Sequence, residues 1–379
     1  MFFFKKISRF LYSNIYVLVC WIMWIKLNSS HFVISELDLT TMLGLATVIF
    51  LAMTGCIFTV NHYAEQIKDL IEEPFGTLLL TLSVAAIEVS LMLVVIFHGN
   101  NNPTMLRDTV YATLMIMLNG MVGLSLVTGG YHHFEQTFNL RGSLSFLHLI
   151  APLVLILLVM PNSTITTNGP TLSPAQEIFM GCLCILVYTI FLLMQTTRHK
   201  VLFVYNQNQN EPKNVPNHKH TVSPTKLQTK CIAIAALGLI VSVIPIVLLA
   251  EYLGDVMNYG IEKLKAPTEL PAFIIAFLVL APEGLSAYRA SKANQMQQAM
   301  NTCLGSALST IALTVPCVLL VAGLQNIDLT LGVFAGQTTL LYATLLTTLI
   351  TLSSAQTTML QGNVHLMVFL SYIFFIFYP

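Results

Sequence analysis

The chain has 379 residues, 55% of them apolar and 9% charged, with a formal net charge of zero. A soluble domain carries about 25% charged residues, and the mean hydropathy here is +0.76, so a water-soluble fold is excluded. What remains is an all-α polytopic membrane protein with little mass outside the bilayer. Zero net charge says nothing about partners; the placement of the charges does.

The N-terminus, with Lys5, Lys6 and Arg9 ahead of an apolar run, imitates a signal peptide. No small-x-small cleavage site precedes the polar stretch Asn28 to Asp38, so it reads as a retained first helix. Apolar runs of about 17 to 25 residues read as spans. Eleven are predicted: 11–27, 40–60, 76–98, 108–130, 144–160, 175–197, 229–250, 269–289, 300–323, 330–352 and 358–378. With the N-terminus in the cytoplasm, the inner segments hold Lys5, Lys6, Arg9, Lys68, Arg141, Arg198, Lys200, Lys213, Lys219, Lys226, Lys230, Arg289 and Lys292. The outer ones hold Lys26, Arg107, Lys263 and Lys265. Thirteen against four accounts for all 17 basic residues, and a missed span would scramble that alternation. The C-terminus then ends outside. The seven cysteines all sit in apolar segments and read as core or lipid-facing residues.

The one long polar stretch, 198–228, is rich in Asn, Pro and Lys and reads as a flexible cytoplasmic linker. Its His218 and His220 read as part of a solvated tract. The linker divides the chain into an N-terminal helix with its outer loop (1–39), a first five-helix repeat (40–197) and a second (229–379). An odd number of spans per repeat gives the two halves opposite topology, as in many secondary transporters.

Each half carries one intramembrane carboxylate in its second helix: Glu88 and Glu283. A charge at mid-bilayer costs about 2.5 to 3.5 kcal/mol on insertion scales and marks a functional position. Thr77, Thr81 and Glu88 fall on one helical line, because offsets of seven and eleven are nearly whole turns. Pro282 precedes Glu283 and Gly284 follows it. The proline predicts a broken helix whose freed Leu278 carbonyl faces a cavity. Ala272, Ala276, Ala287 and Ala290 share the Glu283 line and allow close helix packing. The following helix of each half adds oxygen donors: Asn119 beside Gly120 and Gly123, and Asn301, Thr302, Ser306 and Ser309 beside Gly305. Carboxylate, hydroxyl and amide oxygens suit hard cations such as Ca2+ and Na+, while soft ligands are not clustered. Burial disfavours a charged carboxylate and a bound cation favours it, so Glu88 and Glu283 can hold either a metal ion or a proton, in direct competition.

Other polar residues have plainer readings. Glu72 and Glu73 open a helix at its positive end. Glu65 and Glu251 are membrane-edge acids, Arg107–Asp108 is a surface pair, and His98 and His365 are satisfied polar residues.

The stretches 72–91, 107–130, 191–205, 280–301 and 305–316 resemble the ChaA-type sodium(potassium)/calcium–proton antiporters of the cation/calcium exchanger (CaCA, CAX-like) superfamily. The resemblance implies two inverted five-helix repeats behind an N-terminal helix, with one essential acid per repeat, at Glu88 and Glu283. Ser306 falls on the serine of the second-repeat Gly-Ser motif. It further implies a cation/proton antiporter of the inner membrane, exporting Ca2+, Na+ or K+ by alternating access. Its partners are inorganic cations, protons and the lipid bilayer, with no cofactor and no nucleic acid. Na+/Ca2+ exchange without proton coupling is the alternative. A channel wants a continuous polar pore, whereas polarity here concentrates in two helices. An intramembrane enzyme built on Ser125 and His365 has only a weak motif behind it.

Overall fold

The computed structural model describes residues 2–29, 38–71, 75–98, 102–167, 169–198, 200–203, 226–325, 327–354 and 356–378. Glu72, Glu73 and the linker residues 204–225 lie outside these, as do the side chains of Thr77 and His98. Among the described residues, eleven helices lie on the eleven predicted spans. They are α1 (Phe2–Ser29), α2 (Leu39–Leu70), α3 (Phe75–His98), α4 (Met105–His133), α5 (Leu140–Ser163) and α6 (Pro174–Leu193) in the first part. The second part holds α7 (Lys226–Leu264), α8 (Leu270–Lys292), α9 (Met296–Leu324), α10 (Ala335–Leu352) and α11 (Met359–Phe377). Among the described residues eight helices are long and apolar enough to cross a bilayer, and Thr81–Phe97 is a shorter apolar one. Helices are what apolar segments of this length must form, because lipid offers the backbone no hydrogen-bond partners.

Small residues bring the helices close. A Cβ on Gly362 of α11 would stand 2.7 Å from the Val127 amide nitrogen and 2.8 Å from the Gly123 carbonyl oxygen of α4. On α7, Gly238 seats the Tyr63 ring of α2, and the Tyr63 hydroxyl reaches the Asn14 Oδ1 of α1 at 2.8 Å. Glycine here works by leaving room for a neighbouring backbone or ring.

The loops are paired reciprocally. β1 (Gln136–Thr137), between α4 and α5, pairs antiparallel with β2 (Gln356–Thr357), between α10 and α11. At the opposite end of the bundle, Thr171 between α5 and α6 bridges Thr330 between α9 and α10. The third loop of each five-helix half thus meets the fourth loop of the other half, once at each end. A two-fold axis in the membrane plane exchanges these two contacts, which is the signature of inverted halves.

Arg107 and Asp108, expected at the surface, are buried at 2% and 3% exposure. Arg107 Nε donates to Asp108 Oδ1 at 2.7 Å, and its guanidinium also reaches the Gly332 carbonyl and the Phe334 ring. The segment 330–333 covers them, its backbone bonded to the carbonyls of Pro103, Pro170 and Leu158. Sequence alone hides this, because the covering segment is more than 200 residues away.

Candidate functional site

Glu88 is 4% exposed at the middle of α3. Its carboxylate accepts three contacts from α9: Thr310 Oγ1 at 3.1 and 3.0 Å, and Thr314 Oγ1 at 2.8 Å. These two threonines bound a π-helical turn, Thr310–Thr314. The local sequence explains the turn. Pro316 has no amide hydrogen to give the carbonyl four residues back, so the ladder slips by one residue just ahead of it. The wider turn aims both hydroxyls at α3 instead of at their own helix.

Glu283 stands on α8, which runs unbroken through Pro282 from Leu270 to Lys292. The predicted break is therefore not formed, and Leu278 is fully buried. Neighbouring turns of α8 keep their bonds on either side of the proline, so its ring costs one hydrogen bond without ending the helix. Glu283 Oε2 is buried and, among the described residues, accepts no hydrogen bond. Ser306 of α9 is the hydroxyl facing this carboxylate. The two glutamates lie within electrostatic reach of each other. Tyr188 of α6 bonds Thr81 of α3 and also lies near Glu283, as does the buried thiol of Cys303.

The remaining predicted donors are engaged elsewhere. Asn301 Nδ2 donates to the Phe203 carbonyl at 2.8 Å, and its Oδ1 accepts from Gln297. Thr302 bonds back to Gln298 O and Ser309 to Ser306 O. Asn119 Nδ2 donates to Thr344 Oγ1 at 2.8 Å. Thr81, Glu88, Glu283 and Ser306 therefore share one region of the bundle. Asn119 points from α4 toward α10 and α11. Thr310, Thr314 and Tyr188 join the region although sequence reasoning singles out none of them.

A cavity of about 430 Å3 lies beside α8 from Pro282, one residue from Glu283, to Arg289. Asn61, His62 and Glu65 of α2 line one wall, and Ser286 and Arg289 of α8 the other. The predicted membrane-edge acid Glu65 thus lines this cavity.

Two mid-helix carboxylates, one from each half, thus stand with hydroxyls beside them. Residues 15–197 and 234–378 match the sodium/calcium exchanger protein family. The chain belongs to that family. It is 32% identical to the sodium-potassium/proton antiporter ChaA of Escherichia coli (strain K12), over 90% of this chain and 91% of that one. It is 33% identical to the putative ionic transporter y4hA of Sinorhizobium fredii (strain NBRC 101917 / NGR234), over 89% and 91%. Among solved structures, native YfkE superposes with a TM-score of 0.71 at 15% identity, covering 97% of this chain and all of that one. The H+/Ca2+ exchanger CAX gives 0.69 at 12% identity, covering 98% and 88%. These two likenesses show the shared fold. Members of this family are transporters, so the exchanger is a multi-pass cation transporter and not an enzyme. Both ring nitrogens of His365 have side-chain partners, Asn119 and Thr351.

Proposed function

We propose that this exchanger is a secondary active antiporter that exports Ca2+, Na+ or K+ against protons by alternating access. Glu88 and Glu283 bind cation or proton competitively, with Thr310, Thr314 and Ser306 as supporting oxygens. One observation carries the reading. Two buried acids from opposite halves lie within electrostatic reach of each other, Glu88 hydrogen-bonded to Thr310 and Thr314 and Glu283 with one buried oxygen that, among the described residues, accepts no hydrogen bond. Two ionised carboxylates within electrostatic reach in low dielectric repel and are costly. A divalent cation between them, a monovalent cation with one proton, or two protons each relieve that cost. The site therefore exchanges these occupants without a separate proton path. The name of the Escherichia coli relative, a sodium-potassium/proton antiporter, supports proton coupling.

The repeats run over 40–197 and 229–379, and the N-terminus lies in the cytoplasm by the distribution of basic residues. The Arg289 end is then cytoplasmic, so the cavity beside Pro282 is the inner approach. The interlaced loops around Arg107 close the other end. In a bacterial inner membrane, inward protons drive cation export.

The test is proton flux in proteoliposomes with an imposed pH gradient and a pH-sensitive dye. Na+, K+ and Ca2+ are added in turn, with Glu88→Gln and Glu283→Gln as controls. Collapse of the gradient with one cation, lost in both variants that still insert and stay monodisperse, is expected. Full activity in either variant overturns the site. No response to any of the three cations overturns proton coupling.

A further inference from the structure

The polar side chains of α4, α10 and α11 form a second buried network that the exchange reaction leaves unused. His365 of α11, Asn119 of α4 and Thr344 of α10 are each 0% exposed, and Thr351 of α10 is 2% exposed. Their hydrogen bonds fix one another in sequence. Thr344 Oγ1 gives its proton to the Leu340 carbonyl at 2.8 Å, so it can only accept from Asn119. The atom of Asn119 touching it at 2.8 Å is therefore the amide nitrogen, and the amide oxygen faces His365 Nδ1 at 3.3 Å. An oxygen there requires a proton on Nδ1. The neutral ring then has a lone pair on Nε2, and Thr351 Oγ1, 3.0 Å away, donates to it. One tautomer satisfies these three side-chain contacts, and a ring N–H also reaches the backbone of Leu118, beside Asn119 in the same helical stretch.

Asn119 stands in the π-helical turn Met115–Met121. Met121, at the end of that turn, presses on α8 where a Cβ on Gly284 would lie 2.6 Å from its sulfur. The turn therefore backs the residue next to Glu283. Its counterpart in the other half is the turn that carries Thr310 and Thr314 onto Glu88. Asn119 and Thr314 each follow their own half's glutamate by 31 residues, 88 to 119 and 283 to 314. In one half the residue at this position bonds the opposite glutamate; in the other it bonds a histidine.

We infer that His365 is a positioning residue of the exchange site: its ring holds the Asn119 amide and the Leu118 backbone, and with them the turn 115–121 that backs Gly284, the residue after Glu283. The inference rests on the proposed antiport only for its transport readout.

Two substitutions separate positioning from packing. Asparagine at 365 places an N–H where Nδ1–H stands, whereas glutamine places one where Nε2 stands. His365→Asn should keep the cation KM near that of the unaltered protein. His365→Gln should raise it about five-fold or more, the worth of one buried hydrogen bond, with kcat less affected. Thr351→Val should act in the same direction as His365→Gln, and Thr351→Ser should not. Equal KM values for the Asn and Gln variants, whether normal or raised, overturn the inference. The tautomer is read without transport, by 15N NMR of histidine-labelled protein, with the His365 signal assigned from its loss in His365→Asn. Protonated Nδ1 with bare Nε2 is expected, and protonated Nε2 overturns the inference even if transport behaves as described. If the unaltered protein exchanges no cation for protons, the proposed function falls while the NMR result still decides this one.

Discussion

Removing Arg107 tests whether the end of the bundle opposite the cavity is held by a buried charge pair or merely decorated by a surface one. Its guanidinium donates to Asp108 Oδ1 at 2.7 Å and to the Gly332 carbonyl at 3.2 Å, and lies 4.6 Å from the centre of the Phe334 ring. Asp108 is left with Thr104, whose hydroxyl reaches Oδ2 at 2.7 Å. In Arg107→Met one hydroxyl must then support a carboxylate that is 3% exposed. Breaking a buried pair in this way costs about 3–5 kcal/mol, whereas a surface substitution stays within about 0.5 kcal/mol. The double variant Arg107→Met, Asp108→Leu removes the stranded charge too, and replacing a whole buried pair by apolar side chains of similar volume is often near neutral. The double variant should therefore be more stable than the single one. Unfolding in detergent at fixed protein concentration measures all three proteins. A single variant within about 0.5 kcal/mol of the parent, or a double variant worse than the single, refutes the reasoning.

Two further outcomes follow from the packing and the site. Replacing Thr310 and Thr314 together by valine keeps their shape but removes every hydrogen bond Glu88 receives from them. Hydrogen bonds to a charged group are worth about 1.5–3 kcal/mol, so the cation KM should rise about tenfold or more, with the two serine variants near the parent; an unchanged KM in the valine pair would mean that these hydroxyls do not serve the occupied site. Gly362→Val should destabilise by about 1–3 kcal/mol, because its Cβ would meet the α4 backbone at 2.7 Å. Gly336→Ala, at a position with nothing within 4 Å, should leave the unfolding midpoint in place.

The fold was legible where one physical force dominates. Each predicted span lies on one helix, because nothing but a helix carries about 20 apolar residues through lipid. The ends were less legible. The predicted span 229–250 becomes Lys226–Leu264, since hydropathy stops at Glu251 while the backbone ladder continues past Asp255. Likewise 40–60 extends to Leu70. Glu88 and Glu283 were legible because a lone carboxylate in an apolar run stands out against its cost.

Their neighbours were hidden, and the reason is register. Helix α9 offers Thr302, Ser306, Ser309, Thr310 and Thr314, and a hydroxyl in such a helix ordinarily bonds back to its own turn. Thr302 and Ser309 do so, to Gln298 and Ser306. What separates Thr310 and Thr314 from them is the π turn ahead of Pro316, which rotates the helix face by about one residue. A proline shortly after a polar stripe was the available signal, and it argues for reading the stripe twice, once in each register. Applied to α4 the same reasoning reaches a different end. Its π turn has no proline behind it in Val122–His133, and it follows a chain of fully buried residues to Asn119 and Gly120. There the turn is held from outside, by Thr344 and His365 on helices more than 200 residues away. The π turn of one half thus follows from a proline in its own helix, while that of the other is met by side chains from α10 and α11.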